Sequence, residues 1–218
     1  MLSDEDTTEL LKMFPPVEYA FAYGSGAVEQ GGYDYQKKKS FPMLDIILVV
    51  EDSEAWHRSN LSMNPSHYTS MIPHRPSMIA LFQERIPAYM WFNTYVSLNL
   101  SRFPDRKLKY GVISKKHMLR DLTDWDQLYC AGRLHKPVKL IQANEAIQQA
   151  IETNKEQAVR TSLLLLPSKF NEIELYLTIA SLSYIGDPRM LVGENPKKVK
   201  PSEPITFIFF TLFILYFW

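Results

Sequence analysis

The sequence predicts a mixed α/β domain (α+β in its arrangement) followed by a helical C-terminal part. Two stretches rich in β-branched and aromatic residues, 17–23 and 43–50, read as strands on either side of Gly24-Ser25-Gly26. Over residues 144–184 the apolar pattern becomes helical. Ile147, Ala150 and Ile151 share one face there, and Ile173, Tyr176, Leu177 and Ala180 another. With 46% hydrophobic and 13% aromatic residues, the 218-residue chain can bury a real core and is not disordered.

Taken in order, Ser3 or Asp4 caps a short helix that turns Leu10, Leu11 and Phe14 inward, and Pro15-Pro16 stops it. The strand at 17–23 runs directly into the glycine turn, and residues 31–42 form a loop. The run at 43–50 carries one charge, Asp45, and reads as a strand buried on both faces. Ser53 caps a helix to about Leu61, and Pro65, Pro73 and Pro76 keep the stretch 62–76 from forming one long element. A helix at 77–85 and strands at 88–98 and 107–113 come next. Ser114 then opens a helix with His117/Met118 and Asp121/Leu122 one turn apart. The expected division is a domain over 1–140, a helical part over 141–199 and a hydrophobic tail over 200–218.

Charge and cysteine content narrow the function. Lys plus Arg number 24 and Asp plus Glu 24, so a nucleic-acid partner held by bulk positive charge is not expected. Cys130 is the single cysteine, which excludes an internal disulfide and a thiolate zinc cluster and suits a reducing compartment. The acidic N-terminal stretch MLSDEDTTELLKMF lacks the pattern of a targeting segment. The run ITFIFFTLFILYFW at 205–218 would span about 21 Å as a helix, short of a bilayer core of roughly 30 Å. It is expected to be a non-standard chain end, with a membrane-dipping tail or a buried terminal element as the alternatives.

Strand, Gly-Ser turn and a second strand bearing one acid is a layout that handles phosphates. The glycines let backbone N–H groups approach a polyphosphate, Ser25 adds a hydroxyl, and Asp45 would hold Mg²⁺ against the same phosphates. Alternation puts Glu51 on the face of Asp45 but about 20 Å along the strand, too far to share a metal. A plain glycine turn beside one buried, hydrogen-bonded Asp remains the competing reading. The turn is neither a Gly-x-Ser-x-Gly elbow nor a P-loop. His57, His67 and His74 have no zinc-site spacing, and 37–39 is a lysine run suited to solvent or to an anionic lipid or phosphate.

Longer segments carry a resemblance. FAYGSGAVEQ (21–30), MLDIILVVED (43–52), WHRSNLSMNPSHYTS (56–70), KYGVIS (109–114), DWDQLYCAGRLHKPVKL (124–140) and LSYIGDPRMLVGENPKKV (182–199) succeed one another over most of the chain. In these the sequence resembles the mitochondrial phosphatidate cytidylyltransferases. The resemblance implies a nucleotidyltransferase-fold domain with a winged-helix-like C-terminal part, acting with Mg²⁺ on CTP and phosphatidic acid. The products would be CDP-diacylglycerol and pyrophosphate, for phosphatidylglycerol and cardiolipin synthesis. It further implies a peripheral enzyme at an anionic membrane surface, the matrix side of the mitochondrial inner membrane. Gly24, Ser25, Arg133 and Lys136 would bind nucleotide or lipid phosphates, Asp45 the metal, and Lys109 would act with Asp45 in catalysis. His57, Asn60, Asn64, His67, Asp187 and Arg189 match family positions without an assigned role.

Three departures stand out. Ile47 occupies the place of the second acid expected of the wider fold. Pro87 and Tyr89 in RIPAYMWFN (85–93) replace family glycines. After 197–199 the chain runs into its apolar tail instead of a charged amphipathic segment. An inactive member of the fold, serving as a membrane-associated assembly factor, is the alternative that these departures raise.

Overall fold

The computed structural model describes residues 2–28, 42–69 and 74–184. Five strands, β1 (Tyr19–Tyr23), β2 (Leu44–Val50), β3 (Trp91–Leu100), β4 (Phe103–Ser114) and β5 (Lys139–Gln142), form one sheet in the order β3-β4-β2-β1-β5. β2 and β4 run parallel and the other neighbours antiparallel, so the sheet is mixed. The expected α/β class is therefore what the chain adopts.

β2 lies at the centre because its side chains are apolar on both faces. Leu44, Ile46, Leu48 and Val50 pack with Leu10, Phe14, Trp56, Leu108 and Tyr110. Ile47 and Val49 pack on the other side with Tyr19, Phe21, Met118, Leu122, Ile147 and Ile151. The first face is covered by α1 (Asp4–Leu11) and α2 (Ser53–Met63), the second by α4 (Lys115–Asp124), α5 (Cys130–Leu134) and α6 (Glu145–Leu165). α3 (Pro76–Gln83) packs against α2, and α7 (Glu172–Ser181) returns along α6 through Ala158, Tyr176, Ile179 and Leu182. Among the described residues no helix is long and apolar enough to cross a membrane.

The helix starts are set by side chains. Ser3 Oγ accepts the Asp6 N–H at 3.1 Å while Asp6 Oδ2 accepts the Ser3 N–H at 2.7 Å, a reciprocal cap. Ser114 caps α4 as its sequence suggests. α2 differs from expectation: Asp52 is its cap, accepting the Ala55 N–H at 2.8 Å, and Ser53 instead donates to Glu84 and accepts from Gln83. Two short elements escape a sequence reading, β5 because it alternates half-buried and exposed residues, and α5 because five residues carry no period. In α7 the inward line is Tyr176 and Ile179, continued by Leu182 just past its end, and Ile173 is exposed, because a ten-residue helix meets α6 along one line only. Lys37–Lys39 and the hydrophobic tail lie outside the described residues.

The segment Pro87–Tyr89, a point of departure in the sequence, is backbone-strained. Ala88 and Tyr89 have φ of 71° and 50°, in the left-handed region, so the strain falls on Ala88 and Tyr89 rather than on Pro87. The Tyr89 ring compensates by stacking on His117, centroids 4.2 Å apart and planes 16° from parallel. Replacing Ala88 by glycine removes a left-handed penalty of about 1 kcal/mol while leaving that stack in place. Ala88→Gly is accordingly expected to raise the melting temperature measured by circular dichroism, and an unchanged or lower value would count against strain at this position.

Candidate functional site

Strand register assembles the site. β1 pairs Tyr23 with Asp45 on β2, and β2 pairs Asp45 with Lys109 on β4, so three chemically distinct side chains stand in one row on the α4–α6 face. The chain leaves Tyr23 through Gly24, whose φ of +74° is open to glycine and strained for other residues. A Cβ on Gly24 would sit 3.8 Å from Asp45 Oδ2, so the turn and the carboxylate face each other directly. At Gly26 a Cβ would come 2.2 Å from the Met43 carbonyl oxygen, which leaves no room for a side chain. Gly24 O accepts the N–H groups of Ala27 and Val28 at 3.0 and 3.1 Å, closing the turn. Among the described residues the Gly26 N–H makes no hydrogen bond, and Ser25 is exposed beside it.

Asp45 is half-buried and, among the described residues, makes no hydrogen bond or ion pair. Burial raises its pKa, against the opposing pull of Lys109 and Arg133. The competing picture of a hydrogen-bonded structural Asp thus finds no partner for it among these residues.

Each cation rests on an aromatic ring. Lys109 Nζ lies 4.7 Å from the Phe92 centroid. Phe92 reaches that place across Gly111, where a Cβ would stand 2.8 Å from Phe92 and 2.3 Å from Met90 Sδ. The Arg133 guanidinium lies 4.6 Å from the Tyr23 ring and 4.8 Å from the Tyr129 ring, and donates to Tyr129 Oη at 3.1 Å. Among the described residues its buried Nε has no partner. Lys136 Nζ donates to Ser183 Oγ at 3.0 Å and lies 4.0 Å from the Tyr184 ring. Burial, aided by Arg133, lowers the Lys136 pKa to about 8. Arg133 and Lys136 line a cavity of about 40 Å³ closed by Tyr129, Gly132, Ser183 and Tyr184. Gly132 permits that closure, since a Cβ there would meet Ser183 Cβ at 2.4 Å.

α5, which presents Arg133, is too short to hold itself. Asp121 of α4 accepts the N–H groups of Gln127, Cys130 and Ala131 at 2.9, 2.7 and 3.0 Å. From the other side Asn154 of α6 donates to Ala131 O and accepts from Trp125 and His135. The anchored helix places a guanidinium where its charge acts on both Asp45 and Lys136. Gly24, Asp45, Lys109 and Arg133 are therefore brought together with Ser25 beside the turn, while Lys136 lies beyond Arg133, against Ser183 and Tyr184.

Asp45 bears on metal binding. Among the described residues no group of three or more His, Cys, Asp or Glu side chains is placed to hold an ion. One carboxylate without a partner among the described residues, facing a glycine turn, has the donor chemistry for Mg²⁺, which is commonly held by one or two carboxylates plus substrate phosphates. Glu51 is exposed and pairs with Lys115 at 3.3 Å, so it plays no part there.

The other family-matched residues lie elsewhere. His57, Asn60, Asn64 and His67 pack on the opposite face in a network around Tyr68 and Tyr110. His57 bonds Tyr68 Oη at 2.8 Å and Gln83 Oε1 at 2.9 Å; Asn60 donates to Tyr68 and Tyr110, each at 2.9 Å. Asn64 donates to Asn60 and to Met13 O, tying α2 to the end of α1. Burial lowers the His57 pKa to about 4, so the ring is neutral. His74, the third histidine of the sequence cluster, contacts Thr69 O at 3.2 Å and joins no metal group. Asp187 and Arg189 lie outside the described residues. Sequence reasoning missed Tyr23, Phe92, Tyr129 and Ser183, which hold the cations; the glycines at 111 and 132 were the available signal that something approaches closely.

A family model described as "Phosphatidate cytidylyltransferase, mitochondrial" matches residues 7–202. The chain belongs to the mitochondrial phosphatidate cytidylyltransferase family. Relatives of that name share 40% identity over 198 residues in Caenorhabditis elegans, covering 89% of this chain and 59% of the relative. The Homo sapiens relative is 41% identical over 194 residues, covering 88% and 41%, and that of Schizosaccharomyces pombe 38% over 198, covering 90% and 48%. The chain thus spans about half the length of these curated relatives. The matched residues of this cytidylyltransferase family member include all six of the site.

The raised pKa of Asp45 has a measurable consequence. A carboxyl whose folded pKa exceeds its unfolded one is tolerated while protonated, and its stability contribution is lost as pH rises through the folded value. Asp45→Asn should therefore melt higher than the unaltered chain at pH 7, with the gap narrowing as pH falls toward the ordinary carboxylate range. A lower melting temperature at pH 7 would show that Asp45 is stabilising instead.

Proposed function

We propose that this chain transfers the cytidylyl group of CTP to phosphatidic acid, giving CDP-diacylglycerol and pyrophosphate. The observation that carries the reading is Asp45, a carboxylate without a partner among the described residues, facing a glycine turn and flanked by Lys109 and Arg133, in a family whose relatives are named phosphatidate cytidylyltransferase. The strand–turn–strand unit is read as that of a nucleotidyltransferase fold, and α6 and α7 as the start of a winged-helix-like part.

The reaction is an in-line displacement. A phosphate oxygen of phosphatidic acid attacks the α-phosphorus of CTP, the bond to the α–β bridging oxygen breaks, and pyrophosphate leaves with the electron pair. The nucleophile is already anionic, so no protein base has to remove a proton. The work of the chain is positioning and charge neutralisation. The N–H groups of the turn and the Ser25 hydroxyl cradle the triphosphate. Lys109, Arg133 and Lys136 offset the charge brought together by two phosphorylated substrates, and their aromatic platforms keep them aimed before substrate arrives. Asp45 is the residue that would hold Mg²⁺, whose contribution when bound is to neutralise the triphosphate.

The substrate lipid places the enzyme at an anionic membrane surface. We read it as peripheral, on the matrix side of the mitochondrial inner membrane, supplying phosphatidylglycerol and cardiolipin synthesis; relatives carry "mitochondrial" in their names. Equal numbers of acidic and basic residues favour lipid and nucleotide over nucleic acid as partners.

The direct test is formation of CDP-diacylglycerol from CTP, phosphatidic acid and Mg²⁺ in mixed micelles. Asp45→Ala should reduce the rate by about a hundredfold or more, the scale of a lost electrostatic partner in such sites. A folded intact chain that makes no product would overturn the assignment. Lys136 adds a pH signature. Its ammonium loses charge above about pH 8, so kcat/KM should decline there, whereas Lys136→Arg, always charged, should keep a flat profile. The same alkaline decline in both proteins would remove Lys136 from phosphate binding.

A further inference from the structure

We infer that Arg106, which no part of the reaction scheme uses, is a positioning residue for the glycine turn. The inference rests on the reading of that turn as the triphosphate cradle. Arg106 is buried on β4, and strand alternation with Leu108 and Tyr110 puts it on the face opposite Lys109 and Asp45. It cannot touch a ligand lying on the Asp45 side. From behind, its guanidinium donates through Nη2 to Gly26 O and through Nε to Pro42 O at 3.0 Å. One planar group thus ties the end of the turn to the residue two before β2, whose second residue is Asp45.

This arrangement has two physical effects. Gly26 is caught between the Met43 carbonyl, which a Cβ would meet at 2.2 Å, and the Arg106 fork, so the direction of its N–H is fixed before ligand binds. The fork also turns two carbonyl oxygens away from the anion side, where their lone pairs would repel phosphate. A lysine can reach one of these acceptors but cannot reproduce the planar two-point hold. Asp6, itself buried and paired with Arg102 at 3.1 Å, lies close enough to favour the Arg106 charge, and Phe103 lies 5.2 Å from the guanidinium carbon. A methionine at 106 would retain apolar contact with that ring while removing the fork.

The experiment compares the intact chain with Arg106→Met and Arg106→Lys, measuring CTP affinity with Mg²⁺ by calorimetry, KM and kcat in the micelle assay, and melting by circular dichroism. The expected result is a weakening of CTP binding and a rise in KM for CTP of about tenfold or more in Arg106→Met, as for loss of charged hydrogen bonds that organise a site. KM for phosphatidic acid and kcat should change much less, and Arg106→Lys should recover part of the affinity. A folded Arg106→Met with unaltered CTP affinity overturns the positioning role and leaves the proposed activity standing. Equal losses in both KM values and kcat, or failure of both variants to fold, assign Arg106 to general stability and also overturn it. An intact chain that binds no CTP overturns the cradle itself, and this inference with it.

Discussion

The row Tyr23–Asp45–Lys109 across β1, β2 and β4 is the constraint on which the rest of the site depends. Three strands contribute one residue each, and backbone hydrogen bonds hold the row in place. A one-residue slip of β2 would send Asp45 to the opposite face and bring Leu44 or Ile46 to the glycine turn. That slip is prevented by the apolar residues on either side of Asp45, all of them buried on one face or the other. The site's single carboxylate is therefore located by the packing of the most hydrophobic strand in the sheet.

Around that row the chain solves the problem of keeping positive charges partly out of water with no anion yet present. Lys109, Arg133 and Lys136 are each set against an aromatic face, and two of the three also hydrogen-bond a hydroxyl. Ring quadrupoles and hydroxyls compensate part of the lost hydration and leave the charge available. The compensation is incomplete: among the described residues the buried Arg133 Nε has no partner, and burial depresses the Lys136 pKa.

The two faces of the sheet divide the labour. The Asp45 face carries the cations and their aromatic rings, while the opposite face carries a hydrogen-bonded polar network of His57, Asn60, Asn64, His67, Tyr68 and Tyr110. Buried side-chain hydrogen bonds favour one arrangement of helix on sheet, and these join α2 to β4 directly behind Lys109. Arg106 crosses between these roles, seated on the network's face and gripping the turn of the other. Backbone strain at Ala88 and Tyr89 adjoins β3, whose Phe92 supports Lys109.

Much of this was legible in the residues themselves. Continuous apolar and aromatic runs on either side of Gly24-Ser25-Gly26 located β1, β2 and the turn, a lone Asp in an apolar strand marked the acid, and the long matching segments identified the family. Local chemistry suffices for these because hydrophobic period and glycine geometry act over a few residues. Only the tertiary structure decided the rest. It brought Arg133, some ninety residues along the chain, within electrostatic reach of Asp45 by anchoring a five-residue helix on Asp121 and Asn154, and set Lys136 beside Arg133. It sent His57, Asn60, Asn64 and His67 to the far face, added β5 to the sheet edge, and put Asp52 rather than Ser53 at the start of α2. Those outcomes depend on contacts between residues far apart in sequence, whose partners no local pattern names.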